Sequence, residues 1–199
     1  KPWLAGYSDV TVLHSVWRQR GWGEGLYGHL GKTAGGREEH SAYALLRGEG
    51  YVRTGFGDAL ARVLRPGQAE GESFVACLSV LAGLVGTGAV PSLDGRILFC
   101  EDIDEKPFQI DHALEQLHLA GHLRGVRGLV GGSFAHTEKP DYYGPNPDEL
   151  LAAWGDRLSV PVLARMPFGH LEDHLVIPSG RQVVLDLAPD RWSLTVRPR

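Results

Sequence analysis

A short apolar run, Trp3-Leu4-Ala5, stops at Gly6, and beyond it Val10, Leu13, Val16 and Trp17 recur at the spacing of one helical face. This pattern predicts strand, tight turn and helix. From Gly21 to Gly36 glycine is so frequent that backbone freedom outweighs packing, and a long loop is expected. Ala42 to Val63 mixes short apolar runs with Gly48, Gly50, Gly55 and Gly57 and assigns no single element. The turn-rich stretch from Arg65-Pro66-Gly67 to Gly71 is the best candidate for a domain boundary.

Ser73 to Leu93 carries no charge, but its strongly apolar part stops at Val85, short of the ~20 residues a membrane span needs. Gly83, Gly86, Thr87, Gly88 and Pro91 interrupt the remainder of the stretch, so a buried helix and a loop are predicted. Arg96 to Cys100 reads as a buried strand that ends in the acidic loop Glu101-Asp102-Ile103-Asp104-Glu105. Ile110, Leu114 and Leu117 mark a helix closed by Gly121, and Val126 to Val130 is the next strand. Asn146-Pro147-Asp148-Glu149 is a strong helix start, since asparagine caps, proline suits the first turn and acids favour the positive dipole end. That helix should run to about Leu158. Next come a strand from Val160 to Ala164, a loop from Pro167 to Asp173, and strands at Leu175 to Ile177 and Gln182 to Leu187, the last pairing with Trp192 to Val196.

Composition narrows the classes. With 43% hydrophobic and 22% charged residues the chain of 199 residues is of ordinary globular type, and a net charge of -4 gives no basic field for nucleic acid or an anionic membrane. Cys77 and Cys100 make neither a disulfide framework nor a metal-ligand spacing, and both read as buried reduced thiols that suit a cytoplasmic protein. No targeting pattern opens the sequence, whose first residues read like the middle of a protein.

Gly6-Tyr7-Ser8-Asp9 lies between strand and helix, where a nucleophile elbow would expose its serine, although the same serine could simply cap the helix. A serine needs a base, and the base a partner that fixes its tautomer. His14, His112, His118 and His122 fall on or beside predicted helices and read as packing or surface residues, and His29, His40 and His136 sit in polar loops. His170, on a loop at the carboxyl end of a strand, is the favoured base, with His174 beside Asp173 as its rival. Glu101 or Asp102 could orient the imidazole. The cluster Glu101, Asp102, Asp104 and Glu105 could instead hold a hard cation, or be a solvated acidic loop.

Three stretches together resemble the LD-carboxypeptidases of serine peptidase class S66, a family that also holds the microcin immunity peptidases. They are Gly6-Tyr7-Ser8-Asp9-Val10-Thr11; Ile97-Leu98-Phe99-Cys100-Glu101-Asp102 with Ile110-Asp111 and Gln116-Leu117; and Pro167-Phe168-Gly169-His170 with Pro178-Ser179-Gly180. Their order and spacing agree, with 93 residues from Ser8 to Glu101 and 69 from Glu101 to His170. The resemblance implies Ser8 as nucleophile, His170 as base, Glu101 as the group orienting it, and the Asp9 backbone N–H as an oxyanion donor. It implies an α/β fold, with a flavodoxin-like N-terminal layer only partly present (1–64), a linker (65–95) and a C-terminal mixed α/β domain (96–199), the site lying in the cleft between. It further implies release of terminal D-alanine from muropeptide tetrapeptides in cytoplasmic peptidoglycan recycling, a homodimer, and no metal or organic cofactor.

The sequence departs from the family at Val75-Ala76-Cys77-Leu78, where a G-G-N-L segment is usual, and near His174, where a small polar residue is usual. Family members also carry roughly a hundred residues before the nucleophile segment, including a glycine turn expected to give a second oxyanion N–H, and one strand with one helix cannot alone bury a sheet face. An upstream half, on another chain, outside this sequence or removed, is therefore expected as a partner. Peptide-nucleotide antibiotic conjugates as substrate, or a non-catalytic binding role, are the alternative functions.

Overall fold

The computed structural model describes residues 2–29, 37–56, 61–137, 142–172 and 174–199. In chain order the elements are β1 (Trp3–Gly6), a single 3-10 turn (Ser8–Val10), α1 (Thr11–Gln19), β2 (Glu24–Tyr27), α2 (Arg37–Leu46), β3 (Tyr51–Phe56), β4 (Arg62–Arg65), β5 (Gly67–Cys77) and α3 (Leu78–Gly83). β6 (Arg96–Ile103), α4 (Pro107–Leu119), β7 (Gly128–Ala135), α5 (Pro147–Leu158), β8 (Val162–Ala164), β9 (Ile177–Ser179), β10 (Gln182–Ala188) and β11 (Arg191–Val196) complete it.

The larger sheet has the order β3-β11-β10-β5-β6-β7-β8-β4, parallel from β5 to β8 and antiparallel on both flanks. Its parallel strands are apolar runs because both faces are covered. Phe74, Ala76, Leu98, Cys100 and Leu129 face α3, α4 and α5, packing with Leu114, Leu117, Leu151 and Trp154. The alternate residues Val75, Ile97, Phe99, Val130 and Leu163 face the other way, onto Leu26, Tyr27, Phe168 and Val176. A smaller sheet, β1-β2-β9, lies over that second face with β1 and β2 parallel. Ser73 joins the two sheets, its hydroxyl donating to Pro178 O at 2.6 Å and its carbonyl accepting Gly180 N–H at 2.7 Å.

The mixed α/β architecture is the one expected, and the predicted strands and helices from residue 96 onward are present, the strand expected around Leu175 to Ile177 lying at Ile177–Ser179. The strand, turn and helix expected from Trp3 to Trp17 are likewise present as β1 and α1, and the stretches between Gly21 and Leu93 differ. The glycine-rich loop expected from Gly21 contains β2, whose Gly25 is required because a Cβ there would lie 2.4 Å from His14 Nδ1; residues 30–36 and Asp173 lie outside the described residues. The uncharged run from Ser73 is the end of β5 followed by the short α3 rather than one buried helix. The stretch 65–95, expected as a linker, holds β5 and α3, and Phe74, Val75, Ala76, Leu78, Leu81 and Leu93 of it are core residues. β5 pairs with β6 and β10 at the middle of the large sheet, and β3 and β4, expected in the N-terminal layer, pair with β11 and β8 of that sheet. Gly71 is not a turn residue as its neighbours suggest: it permits close approach to Gly95 O, 2.4 Å from where its Cβ would be. Among the described residues no helix is long and apolar enough to cross a membrane.

Candidate active site

The turn after β1 is strained. Gly6 has φ 147° and could carry no side chain, because a Cβ would meet Val10 Cγ1 at 2.8 Å. Ser8 has φ 60°, a left-handed conformation that costs an L-residue about 1–2 kcal/mol. Buried polar groups hold the turn. Gly6 O accepts His14 Nε2–H at 3.0 Å and Gly28 N–H at 3.3 Å, and the Ser8 N–H donates to the Tyr27 hydroxyl at 3.0 Å.

Glu101 stands near the carboxyl end of β6, opposite Cys77 of β5, and is fully buried. Its Oε1 accepts the Tyr27 hydroxyl at 2.7 Å and its Oε2 lies 2.7 Å from His170 Nδ1. The loop after β8 brings the imidazole there, and Gly169 makes the approach possible with φ 98° and no Cβ, which would sit 2.4 Å from Glu101 Oε2. His170 Nε2 is 3.1 Å from Ser8 Oγ. A carboxylate only accepts, so Nδ1 carries the proton and Nε2 is free to accept the serine O–H. Burial pushes the Glu101 carboxyl above the usual range, and the bonds from Tyr27 and His170 pull it back.

Ser8, Glu101 and His170 are thus within hydrogen-bonding reach although far apart in sequence. Asp102 is not part of that chain. It accepts from Ser79 N (2.7 Å), Ser79 Oγ (3.0 Å), Ile103 N (3.0 Å) and Cys77 Sγ (3.3 Å). The rival His174 is also turned elsewhere, accepting His29 N–H at 2.7 Å on Nε2 and donating from Nδ1 to Leu171 O at 3.1 Å. Asp104 pairs with exposed His136 at 3.1 Å, and among the described residues no group of three or more His, Cys, Asp or Glu is arranged to hold a metal.

Two residues to which the sequence pattern gives no chemical role lie close to the site. Tyr27 is hidden in the glycine-rich stretch, and His14 has the sequence context of an ordinary packing residue. His14 is fully buried, its pKa lowered by desolvation, as suits a neutral ring that holds Gly6 O. The apolar spacing of α1 skips His14, so nothing in that pattern marks it. Tyr7 packs against His170, His29 and His174 with ring centroids 5.1, 4.4 and 5.9 Å apart. Both cysteines are free and buried, and desolvation pushes the Cys77 thiol up to about 12.

Residues 70–185 match the family described as the LD-carboxypeptidase C-terminal domain. A Streptomyces coelicolor protein named as a carboxypeptidase is 35% identical over 203 residues, covering 97% of this chain and 61% of its own length. A Bacillus subtilis protein named as a murein peptide carboxypeptidase is 29% identical over 192 residues, covering 92% of this chain and 59% of its own. The chain therefore spans about 60% of the length of these relatives. Among solved structures, a muramoyltetrapeptide carboxypeptidase from Oxalobacter formigenes superposes with TM-score 0.82 at 26% identity, over 97% of this chain and 68% of the other. The microcin C7 self-immunity protein in complex with aspartyl sulfamoyl adenosine shares the fold with TM-score 0.79 at 19% identity, over 98% of this chain and 67% of the other.

Proposed function

The chain belongs to the LD-carboxypeptidase family, and from that membership we propose that it is a serine hydrolase releasing terminal D-alanine from muropeptide tetrapeptides in cytoplasmic peptidoglycan recycling. The observation that carries the proposal is the hydrogen-bonded chain from Ser8 Oγ through His170 to buried Glu101. In this reading His170 Nε2 takes the serine proton as Oγ attacks the carbonyl carbon before D-alanine. Glu101 holds the Nδ1–H tautomer and stabilises the imidazolium. The imidazolium then protonates the leaving amine, D-alanine departs, and water activated by the same histidine hydrolyses the acyl-enzyme.

The oxyanion donor in this mechanism is the Asp9 N–H, the next amide along from one already committed to Tyr27. The β1-β2-β9 sheet with α1 is proposed as the remainder of a nucleophile domain, with an upstream segment and a second copy of the chain as partners. A peptide-nucleotide conjugate is the second candidate substrate, favoured by the fold shared with the microcin immunity protein and by Val75-Ala76-Cys77 where the family pattern has glycines and asparagine.

Incubating purified protein with a D-alanine-terminated tetrapeptide muropeptide and, separately, with an aspartyl sulfamoyl adenosine decides between the two. Release of D-alanine by the parent and none by Ser8→Ala is expected. Cleavage of the conjugate alone would move the substrate, and release that survives Ser8→Ala would remove the serine mechanism.

A further inference from the structure

Tyr27 holds none of the three catalytic roles, yet it touches two of the residues that do. Its phenolic oxygen accepts the Ser8 N–H at 3.0 Å while its proton goes to Glu101 Oε1 at 2.7 Å. With His170 bridging Glu101 Oε2 and Ser8 Oγ, the contacts close into a ring that leaves Ser8 by its backbone and returns to it by its side chain. Tyr27 is fully buried in β2, on the face of the small sheet turned toward β6.

The ring has three effects. First, one carboxylate oxygen of Glu101 is occupied by a donor that burial and the neighbouring Glu101 keep protonated, its pKa pushed far above the usual phenol value, so the other oxygen is left facing His170. Second, the strained φ of 60° at Ser8 has a specific partner for its amide, which fixes the direction of Oγ. Third, an amide that donates to a buried phenol is not directed at a developing oxyanion. We propose that Tyr27 is a positioning residue that sets both the nucleophile turn and the Glu101 carboxylate for the hydrolytic reaction, an inference that rests on the Ser8–His170–Glu101 reading.

The titratable groups that face Glu101 are Tyr27 from β2, His170 from the loop after β8, Cys77 from β5, and Asp102 and Cys100 from its own strand. Thr11 and His14 of α1 lie against Tyr27. Of these, Tyr27 and His170 are the ones that hydrogen-bond to the carboxylate and favour its charged form. Removing the phenol hydroxyl should therefore let Glu101 take up a proton at higher pH.

The test is the second-order rate at which a fluorophosphonate labels Ser8, followed by mass spectrometry across pH. It needs no knowledge of the substrate. Tyr27→Phe should label about tenfold more slowly near neutrality, the scale of losing one hydrogen bond to a charged group, with its acidic midpoint moved to higher pH. Site-specific difluorotyrosine at position 27, nearly isosteric and a stronger donor, should move the midpoint to lower pH and covers the case in which Tyr27→Phe fails to fold. A role in packing alone would lower the melting temperature and leave the midpoint where it was, overturning the proposal. If the parent labels at Ser8 and neither variant shifts the profile, Tyr27 loses its role while the serine mechanism stands. If the parent does not label at all, both fall.

Discussion

The parallel strands β5 to β8 and the lobe of β1, β2 and α1 solve different problems. The first is held by apolar residues that alternate cleanly between two buried faces, Phe74, Leu98 and Leu129 on one and Val75, Ile97, Phe99 and Val130 on the other. The second places a residue of φ 60° at its tip and restrains it with buried polar groups, His14 on Gly6 O and Tyr27 on Ser8 N. Arg181 extends the same device between the sheets, its buried guanidinium bonded to Glu24 and to the carbonyls of Leu45, Glu49 and Arg197. Apolar packing supplies stability in one region, and directional bonds supply geometry in the other. Glu101 sits at their junction, on an apolar strand but with its carboxylate committed to the polar lobe.

The sharpest way to separate the two is to replace that carboxylate. Glu101→Gln should lower D-alanine release by about 10³–10⁴-fold by presenting an amide N–H where His170 needs an acceptor. It should also raise stability at neutral pH. The folded pKa of Glu101 lies above its unfolded value, so the fold is penalised at pH values above the folded pKa, and the penalty fades as pH falls through it toward the unfolded value. Melting temperatures measured against pH should show the variant above the parent at neutrality and the gap closing in acid; a constant gap would mean that burial of the charge is not the cause.

A change confined to the apolar region should do the reverse. Leu98→Ala, on the face covered by the helices, should cost about 2–5 kcal/mol in a denaturant titration, with D-alanine release per folded molecule unchanged. A large drop in D-alanine release per folded molecule would break the division. Gly169→Ala mixes the two: its new Cβ falls 2.4 Å from Glu101 Oε2 and φ is 98°, so the carboxylate or His170 must move, and about a hundredfold loss of rate is expected. The smallest effect is at the turn itself. Ser8→Gly and Ser8→Ala both lack the hydroxyl, but glycine relieves the left-handed strain and should be the more stable by about 1 kcal/mol. Equal melting temperatures would show that the turn stores no strain.

The same contrast explains how much of the molecule is legible in its sequence. Ile97 to Cys100, Gly128 to Val130 and Val162 to Ala164 announce themselves because burial on both faces makes them continuous runs without a charge, and Asn146 caps α5 through Glu149 N–H as its type suggests. Continuous runs do not reveal period, which is why Phe74 to Val85 reads as one helix although a strand ends within it at Cys77. β2 is illegible because Gly23 and Gly25 are there to admit the Pro2 carbonyl and His14, contacts made only in the folded chain. At the site, loop position favours His170 over His174 only weakly, and the difference lies in backbone partners, Leu171 O and His29 N–H, that no spacing encodes. Tyr27 meets Glu101 across 74 residues of sequence.

If Ser8, His170 and Glu101 work as one unit, a set of single and combined alanine variants assayed for D-alanine release measures it directly. Ser8→Ala and His170→Ala should each lose about as much rate as the triple replacement, because removing one member disables the rest. Losses that multiply from variant to variant, each residue contributing independently of the others, would contradict it.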